Sequence, residues 1–423
     1  MSVTRPLSLI LSVHLGLALA ACGGEAGGGG GGIDRENRAS ARGGEQSATE
    51  EAPMTASESE EETDPDESEV PVGNAGTAVG YVPLNPFRLL DSRNGSGLAP
   101  AAFTGSLSPN VERTISLAGL DGVLGDAASR AGIAMNVVAT ETAQPGYLRV
   151  YPCGAEEKVA LINFGTNESV AGFAVLGVTD RFCIRASTTT KVVIDVSGTF
   201  QKGRGALFSP ASRRLYDSRV GAKGKSYTVS VPGLDAKTGG VLAHLTITQP
   251  DGAGYATIFP CGDRPPTSTI NFGAGDTIAT TALVQVDAQD KVCVETSIAA
   301  HVVVDLEGTF GDGKLGFIAR APARVLDSRG AAAKTTFRVK VPNVPAGAQL
   351  AAVHLTAVEA TAPAVAQAHP CSANPGATSA VNIMPGKART SLTFLPIDAN
   401  GESCVTASSA MHLIADVAGV LAP

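Results

Sequence analysis

The chain has 423 residues, a formal net charge of −8, 4% aromatic residues and no tryptophan. Fourteen acids against three bases lie between Gly23 and Gly80, a net of −11; removing these and the +1 of Arg5 leaves about +2 for the rest. A near-neutral body lacks the clustered cations that neutralise phosphates, so nucleic acid is excluded as a partner.

Residues 1–21 read as an export signal. Arg5 supplies the charged start, Leu7–Ala21 the apolar run, and Leu19-Ala20-Ala21-Cys22 the cleavage region. The tetrapeptide resembles the lipobox of bacterial lipoproteins, which implies acylation at Cys22 and a membrane partner through the lipid. The apolar run is shorter than the ~20 residues a membrane span needs. Gly23 follows the cysteine, so the inner-membrane retention aspartate is absent and an outer-membrane or cell-surface destination is expected. Residues 22–80 read as a disordered tether: Gly27–Gly32 is pure glycine, and Glu58–Glu69 is almost continuous acid. Few apolar groups and self-repelling charge leave nothing to offset chain entropy. Such a coil spans roughly 40 Å.

From residue 81 onward one unit is written three times, at 81–202, 203–313 and 314–423. PFRLLDSR at Pro86–Arg93 returns as RRLYDSR at Arg213–Arg219 and ARVLDSR at Ala323–Arg329. GYLRVYPCG at Gly146–Gly154 returns as GYATIFPCG at Gly254–Gly262 and as AVAQAHPCS at Ala364–Ser372. VVIDVSGTF at Val192–Phe200 returns as VVVDLEGTF at Val302–Phe310 and LIADVAGVL at Leu413–Leu421. A fixed period outranks other sequence signals for fold assignment. Interchangeable copies suit binding or spacing better than a single catalytic centre.

Within the first copy, alternating β-branched segments predict strands at Phe87–Ser92, Arg113–Leu117, Ile133–Thr140, Tyr147–Tyr151, Ala160–Phe164, Gly172–Val178, Phe182–Ala186 and Lys191–Phe200. Only Leu120–Arg130 can hold a helical turn. The fold class is therefore all-β, three tandem β-sandwich or small-barrel domains of about eight strands each. The joints, Gln201–Gly205 and Gly311–Gly316, are short, which leaves either a stiff row or a folded-back cluster.

Seven cysteines include one at Cys22 and two per repeat. Cys153 with Cys183, Cys261 with Cys293 and Cys371 with Cys404 occupy matching places, and an exported chain would pair them within each repeat. Single cysteines, rather than CxxC pairs, argue against zinc.

RLLDSR, GYLRVYPCG, INF, a cysteine strand and DVSGTF together resemble tandem "RLLDTR…GYLTVYPCG…LNF…DVxGxF" β repeats. These occur on exported and surface proteins of high-GC soil bacteria, and the resemblance covers residues 81–423. It implies an extracellular setting and carries no activity. Here serine stands at Ser92, Ser218 and Ser328, where that family often has threonine. The third copy has lost the aromatic and glycine of the GY step.

Period-two alternation puts Asp91 with Arg93, Asp217 with Arg219 and Asp327 with Arg329 on one face. With the late aspartates Asp195, Asp305 and Asp416 they are expected to form a structural polar lock, the functional reading being a carboxylate or sugar site. His244 and His354 align with Asn136, and His301 and His412 with Lys191. A metal-dependent enzyme would need His244, His301 and Asp305 to converge. Copy one has Asn and Lys at the histidine places, so hydrogen-bonded histidines without metal are expected. Asn163, Asn271 and Asn382 are expected to bond neighbouring backbone. GxSxG, HExxH and phosphate-loop signatures are absent from the sequence, so neither catalysis nor a cofactor is expected. The expected function is a lipid-anchored envelope protein presenting disulfide-stapled β domains for structural or adhesive contact. The alternative is a glycan- or cell-wall-binding module using Tyr147 and Tyr255, with a cell-wall glycan or surface protein as partner.

Overall fold

A computed structural model describes residues 76–99, 103–155, 159–376 and 378–423. The signal segment, Cys22 and nearly all of the tether lie outside the described residues.

The protein is all-β. The first repeat holds eight strands: β1 (Gly80–Asp91), β2 (Arg113–Ser116), β3 (Arg130–Thr140), β4 (Gly146–Tyr151), β5 (Ile162–Phe164), β6 (Val170–Leu176), β7 (Arg181–Ala186) and β8 (Lys191–Gln201). One helical turn, α1 (Asp121–Leu124), lies in the stretch where the sequence permits one. The buried guanidinium of Arg130 ties it down, donating to Asp121 at 2.8 Å and to the Gly125 carbonyl at 2.6 Å. Two antiparallel sheets, β1-β8-β3-β6 and β2-β7-β4-β5, enclose an apolar core that includes Leu89, Val137, Leu148, Phe182 and Ile194.

Repeats two and three keep this plan. The second comprises β9 (Leu207–Asp217), β10 (Gly224–Ser230), β11 (Gly240–Thr248), β12 (Gly254–Pro260), β13 (Ile270–Phe272), β14 (Thr277–Gln285) and β15 (Lys291–Gly311). The third comprises β16 (Gly316–Asp327), β17 (Lys334–Lys340), β18 (Leu350–Val358), β19 (Ala364–His369), β20 (Val381–Ile383), β21 (Arg389–Pro396) and β22 (Glu402–Ala422). The seventh and eighth strands of these repeats have fused into one 21-residue strand that serves both sheets. In the first repeat the run breaks at Ser187–Thr190, where the Thr188 and Thr190 hydroxyls donate to the Gln144 and Thr140 carbonyls. Such side-chain bonds compete with strand pairing.

β1 begins seven residues before the predicted start at Phe87. Pro83 and Pro86 make that stretch read as non-strand, but a register shift between Pro83 and Phe87 accommodates them. Bulges are where a strand tolerates proline. Val79, assigned to the tether by sequence, is buried and bonded to Phe317.

The joints fold back, and the repeats form a cluster with a shared fourth core. Tyr81, Phe208 and Phe317 occupy equivalent places on β1, β9 and β16, opposite Phe200, Phe310 and Leu421. Tyr81 of the first repeat stacks on Phe310 of the second, centroids 4.8 Å apart. Phe208 of the second meets Phe394 of the third at 5.2 Å, and Phe317 of the third meets Phe200 of the first at 4.6 Å. Backbone bridges repeat the pattern: Tyr81 pairs with Ala206, Phe208 with Leu315, and Val79 with Phe317. The last of these closes the ring, as a head-to-tail arrangement must if it is not to extend indefinitely.

One glycine per repeat makes this possible. A Cβ on Gly198, Gly308 or Gly419 would sit 2.4, 2.0 or 2.3 Å from the ring of Tyr81, Phe208 or Phe317 respectively. The SGTF, EGTF and AGVL signatures therefore record a close approach of ring to backbone.

Candidate functional site

The RxxDSR signature forms a latch in every copy, with a different wiring from the one the sequence predicts. Arg93 does pair with Asp91 in a two-pronged contact, Nε to Oδ1 at 2.9 Å and Nη2 to Oδ2 at 2.7 Å. Arg219 and Arg329 hold Asp217 and Asp327 in the same way. Strand alternation is not the cause, because the arginines lie beyond the strand ends. Each aspartate also accepts its arginine's backbone N–H, at 3.0–3.2 Å, in a tight turn.

The late aspartates bind another residue, the first arginine of each signature. Arg88 joins Asp91 and Asp195. Arg214 reaches Asp305 at 2.8 Å and Asp217 at 3.2 Å; Arg324 reaches Asp416 at 2.9 Å and Asp327 at 3.2 Å. These three arginines are absent from the sequence reading, although RxxD is present in all three copies and could have revealed them. Ser92, Ser218 and Ser328 complete the latch, each hydroxyl oxygen accepting a backbone N–H (Val192, Val302, Leu413) at 2.8–2.9 Å.

The two aspartates of each latch differ electrostatically. The Arg93 and Arg329 guanidinium groups hold Asp91 and Asp327 below the usual carboxylate range, and Arg219 does the same for Asp217. Burial pushes Asp195 up to about 6 and raises Asp416, in both cases against the pull of the bridging arginine.

Cys153–Cys183, Cys261–Cys293 and Cys371–Cys404 are disulfides with Cα atoms 4.9 Å apart. Each ties the end of the GY strand to its neighbour in the second sheet.

His244 Nδ1 lies 3.0 Å from Thr281 Oγ1, and burial lowers its pKa to about 4. His301 Nδ1 lies 3.3 Å from Ser218 Oγ. On β11, His244 stands opposite Asp305 and Thr248 opposite His301, a separation of four residues or roughly 13 Å along the strand. His244, His301 and Asp305 therefore do not converge, and among the described residues no three His, Cys, Asp or Glu side chains are grouped as a metal site requires. His412 Nδ1 donates to the Ser328 carbonyl at 2.8 Å. Lys191, its counterpart, pairs with Glu141 at 2.7 Å.

The other aligned set works between repeats. Asn136 Nδ2 donates to the Ser268 carbonyl of the second repeat at 2.5 Å. His354 Nε2 lies 3.2 Å from the Phe173 carbonyl of the first, its pKa lowered to about 4 by burial. His244 instead faces Glu307 at 3.7 Å. Glu307 is the extra residue of a β-bulge between Leu306 and Gly308, which turns it toward the third repeat. Burial pushes Glu307 up to about 8, and the Asp305 charge adds to this. Burial thus disfavours the charged form of both side chains. Asn271 and Asn382 depart from the expected backbone bonding, since their Oδ1 atoms are buried without a partner.

A cleft of about 420 Å³ opens between repeats one and two. Arg88, Arg93 and Thr140 form one wall, and Tyr255, Arg264 and Asn271 the other. Arg264 lies over the Tyr255 ring, 5.4 Å from its centroid, as Arg149 lies over Tyr147 at 4.8 Å.

Fold and site thus define a disulfide-stapled all-β protein of three repeats on one shared core. No family model matches the chain, and no curated protein matches it. Among solved structures it is similar to that of "The Triple Jelly Roll Fold and Turret Assembly in an Archaeal Virus", at 11% identity over 81% of this chain and 90% of that one, TM-score 0.18. It is also similar to the one in "Life in the extremes: atomic structure of Sulfolobus Turreted Icosahedral Virus", at 10% identity, the same coverage and TM-score 0.18.

Proposed function

We propose that this is an exported, lipid-anchored protein of the cell envelope, held at Cys22 on the outer membrane or cell surface. It presents three disulfide-stapled β repeats for structural or adhesive contact. The observation that carries this reading is the disulfide within each repeat. Such bridges persist in oxidising compartments outside the cytoplasm, in agreement with the export signal and lipobox. The shared core adds to it, because repeats that cannot splay apart keep their outer faces in fixed relation. That suits multivalent contact.

Two measurements on cells producing the full chain test the reading. Mass spectrometry of the mature amino-terminal peptide is expected to begin at Cys22 and to carry acyl chains. Protease added to intact cells is expected to cleave the segment before residue 76. An unmodified Cys22, or a chain protected on intact cells, would overturn it.

A further inference from the structure

We propose that the cleft between repeats one and two binds an acidic saccharide, recognising a carboxylate together with neighbouring sugar hydroxyls. It names what the envelope protein would touch and rests on that reading for its biological setting only.

Three guanidinium groups line the cleft and no carboxylate does. Arg88 is fully engaged, by Asp195, Asp91 and the Pro266 carbonyl. Arg93 gives only Nε and Nη2 to Asp91, and Arg264 gives Nη2 to Thr257 and Nε to Glu295 at the rim. Among the described residues the Nη1 groups of Arg93 and Arg264 make no bond, and they stand on opposite walls. A carboxylate suits such forked, planar donors. Polar acceptors and hydroxyls complete the lining: Asn271 Oδ1 has no partner, and Thr140 lies on the facing wall. Tyr255 stays 37% exposed beside Arg264 and offers an aromatic face, the kind of surface that the C–H groups of a sugar ring pack on. A volume of about 420 Å³ falls in the range of small-ligand sites.

Comparison among the copies separates this cleft from a mere gap between domains. Arg214 and Arg219 recur where Arg88 and Arg93 stand, so two arginines belong to the latch. Val365 replaces Tyr255, Asn374 stands three residues after its cysteine where Arg264 does, and in the first copy that place is Glu156. The first copy keeps the tyrosine, with Arg149 over it, but only the second combines the tyrosine with an arginine three residues after the cysteine.

Titration of the full chain, purified in detergent, with trigalacturonate tests this by calorimetry. Saturable binding is expected, at least tenfold tighter than for the trimer's methyl ester or for maltotriose. Tyr255→Val with Arg264→Asn copies the third repeat, so its melting temperature should match the parent while affinity falls at least tenfold. Absence of uronate binding, equal binding of the methyl ester, sulfate binding as tightly as the uronate, or a variant that binds like the parent would each overturn the proposal. Acylation of Cys22 is read independently, so either result can fail alone.

Discussion

Arg324 Nε donates to Asp416 Oδ1 at 2.9 Å, joining residues 92 positions apart across the first and last strands of the third repeat. The same bond joins Arg214 to Asp305 at 2.8 Å. Asp416 is 1% exposed, so Arg324→Gln strands a buried carboxylate. A loss of about 3 kcal/mol is expected in urea unfolding at pH 7. The double replacement of Arg324 and Asp416 by leucine should lose less, because no charge is left unpaired. The single variant's deficit should shrink as pH falls toward 4 and Asp416 protonates.

The disulfides close loops of 30, 32 and 33 residues. Replacing Cys261 and Cys293 together by alanine should cost about 3–4 kcal/mol on the chain-entropy description. Denaturant unfolding of oxidised protein measures it, and non-reducing peptide maps of the parent should show one bridge per repeat.

Gly308→Ala tests the ring-on-glycine contact. The new methyl would meet Phe208 Cζ at 2.0 Å and the Ser209 carbonyl oxygen at 2.8 Å. The ring must leave its place against Phe310 and Phe394, at a cost of about 2–3 kcal/mol. An exposed glycine such as Gly262, which has nothing within 4 Å of the added methyl, is not a matched control because its φ is +148°. Gly122 is the better one, with nothing within 4 Å and an ordinary backbone.

Stability should fall on both sides of an optimum near pH 6.5, where the two histidine contributions saturate and the single Glu307 contribution takes over. Glu307 titrates at about 8 in the fold and near 4.5 in the open chain. Between those values the folded protein holds a proton that the unfolded chain lacks, so stability declines as pH rises. Glu307→Gln should remove that decline, gaining about 4 kcal/mol at pH 8 and almost nothing at pH 4. His244 and His354 titrate at about 4 in the fold against 6.5 unfolded. There the unfolded chain holds the extra protons, so stability is lost as pH drops from 6.5 toward 4. Urea midpoints across pH 4–8.5 check both limbs.

Strand positions were legible because alternation and turn residues are local signals. The shared core was not. β3, β11 and β18 are buried on nearly every residue, the mark of sheets covered on both faces, yet periodicity alone does not say what covers the second face. The cue was the Gly-Thr-Phe ending, whose glycine matters only when a ring from another strand lies on it. The latch was half legible: Asp91 and Arg93 are sequence neighbours, whereas Arg88 meets Asp195 only through β1–β8 pairing. Sites between repeats, such as His354 on Phe173 or the Arg93–Arg264 cleft, depend on ring closure, to which the sequence gives no register.

The most direct measurement is scanning calorimetry of the full chain beside Phe310→Ala. Phe310 belongs to the second repeat by sequence and touches Tyr81 of the first and Phe208 of its own. One cooperative transition is expected for the parent, and the variant should lower that whole transition by roughly 5 °C. Separate transitions, with Phe310→Ala shifting only one of them, would contradict the shared core and the fixed presentation built on it.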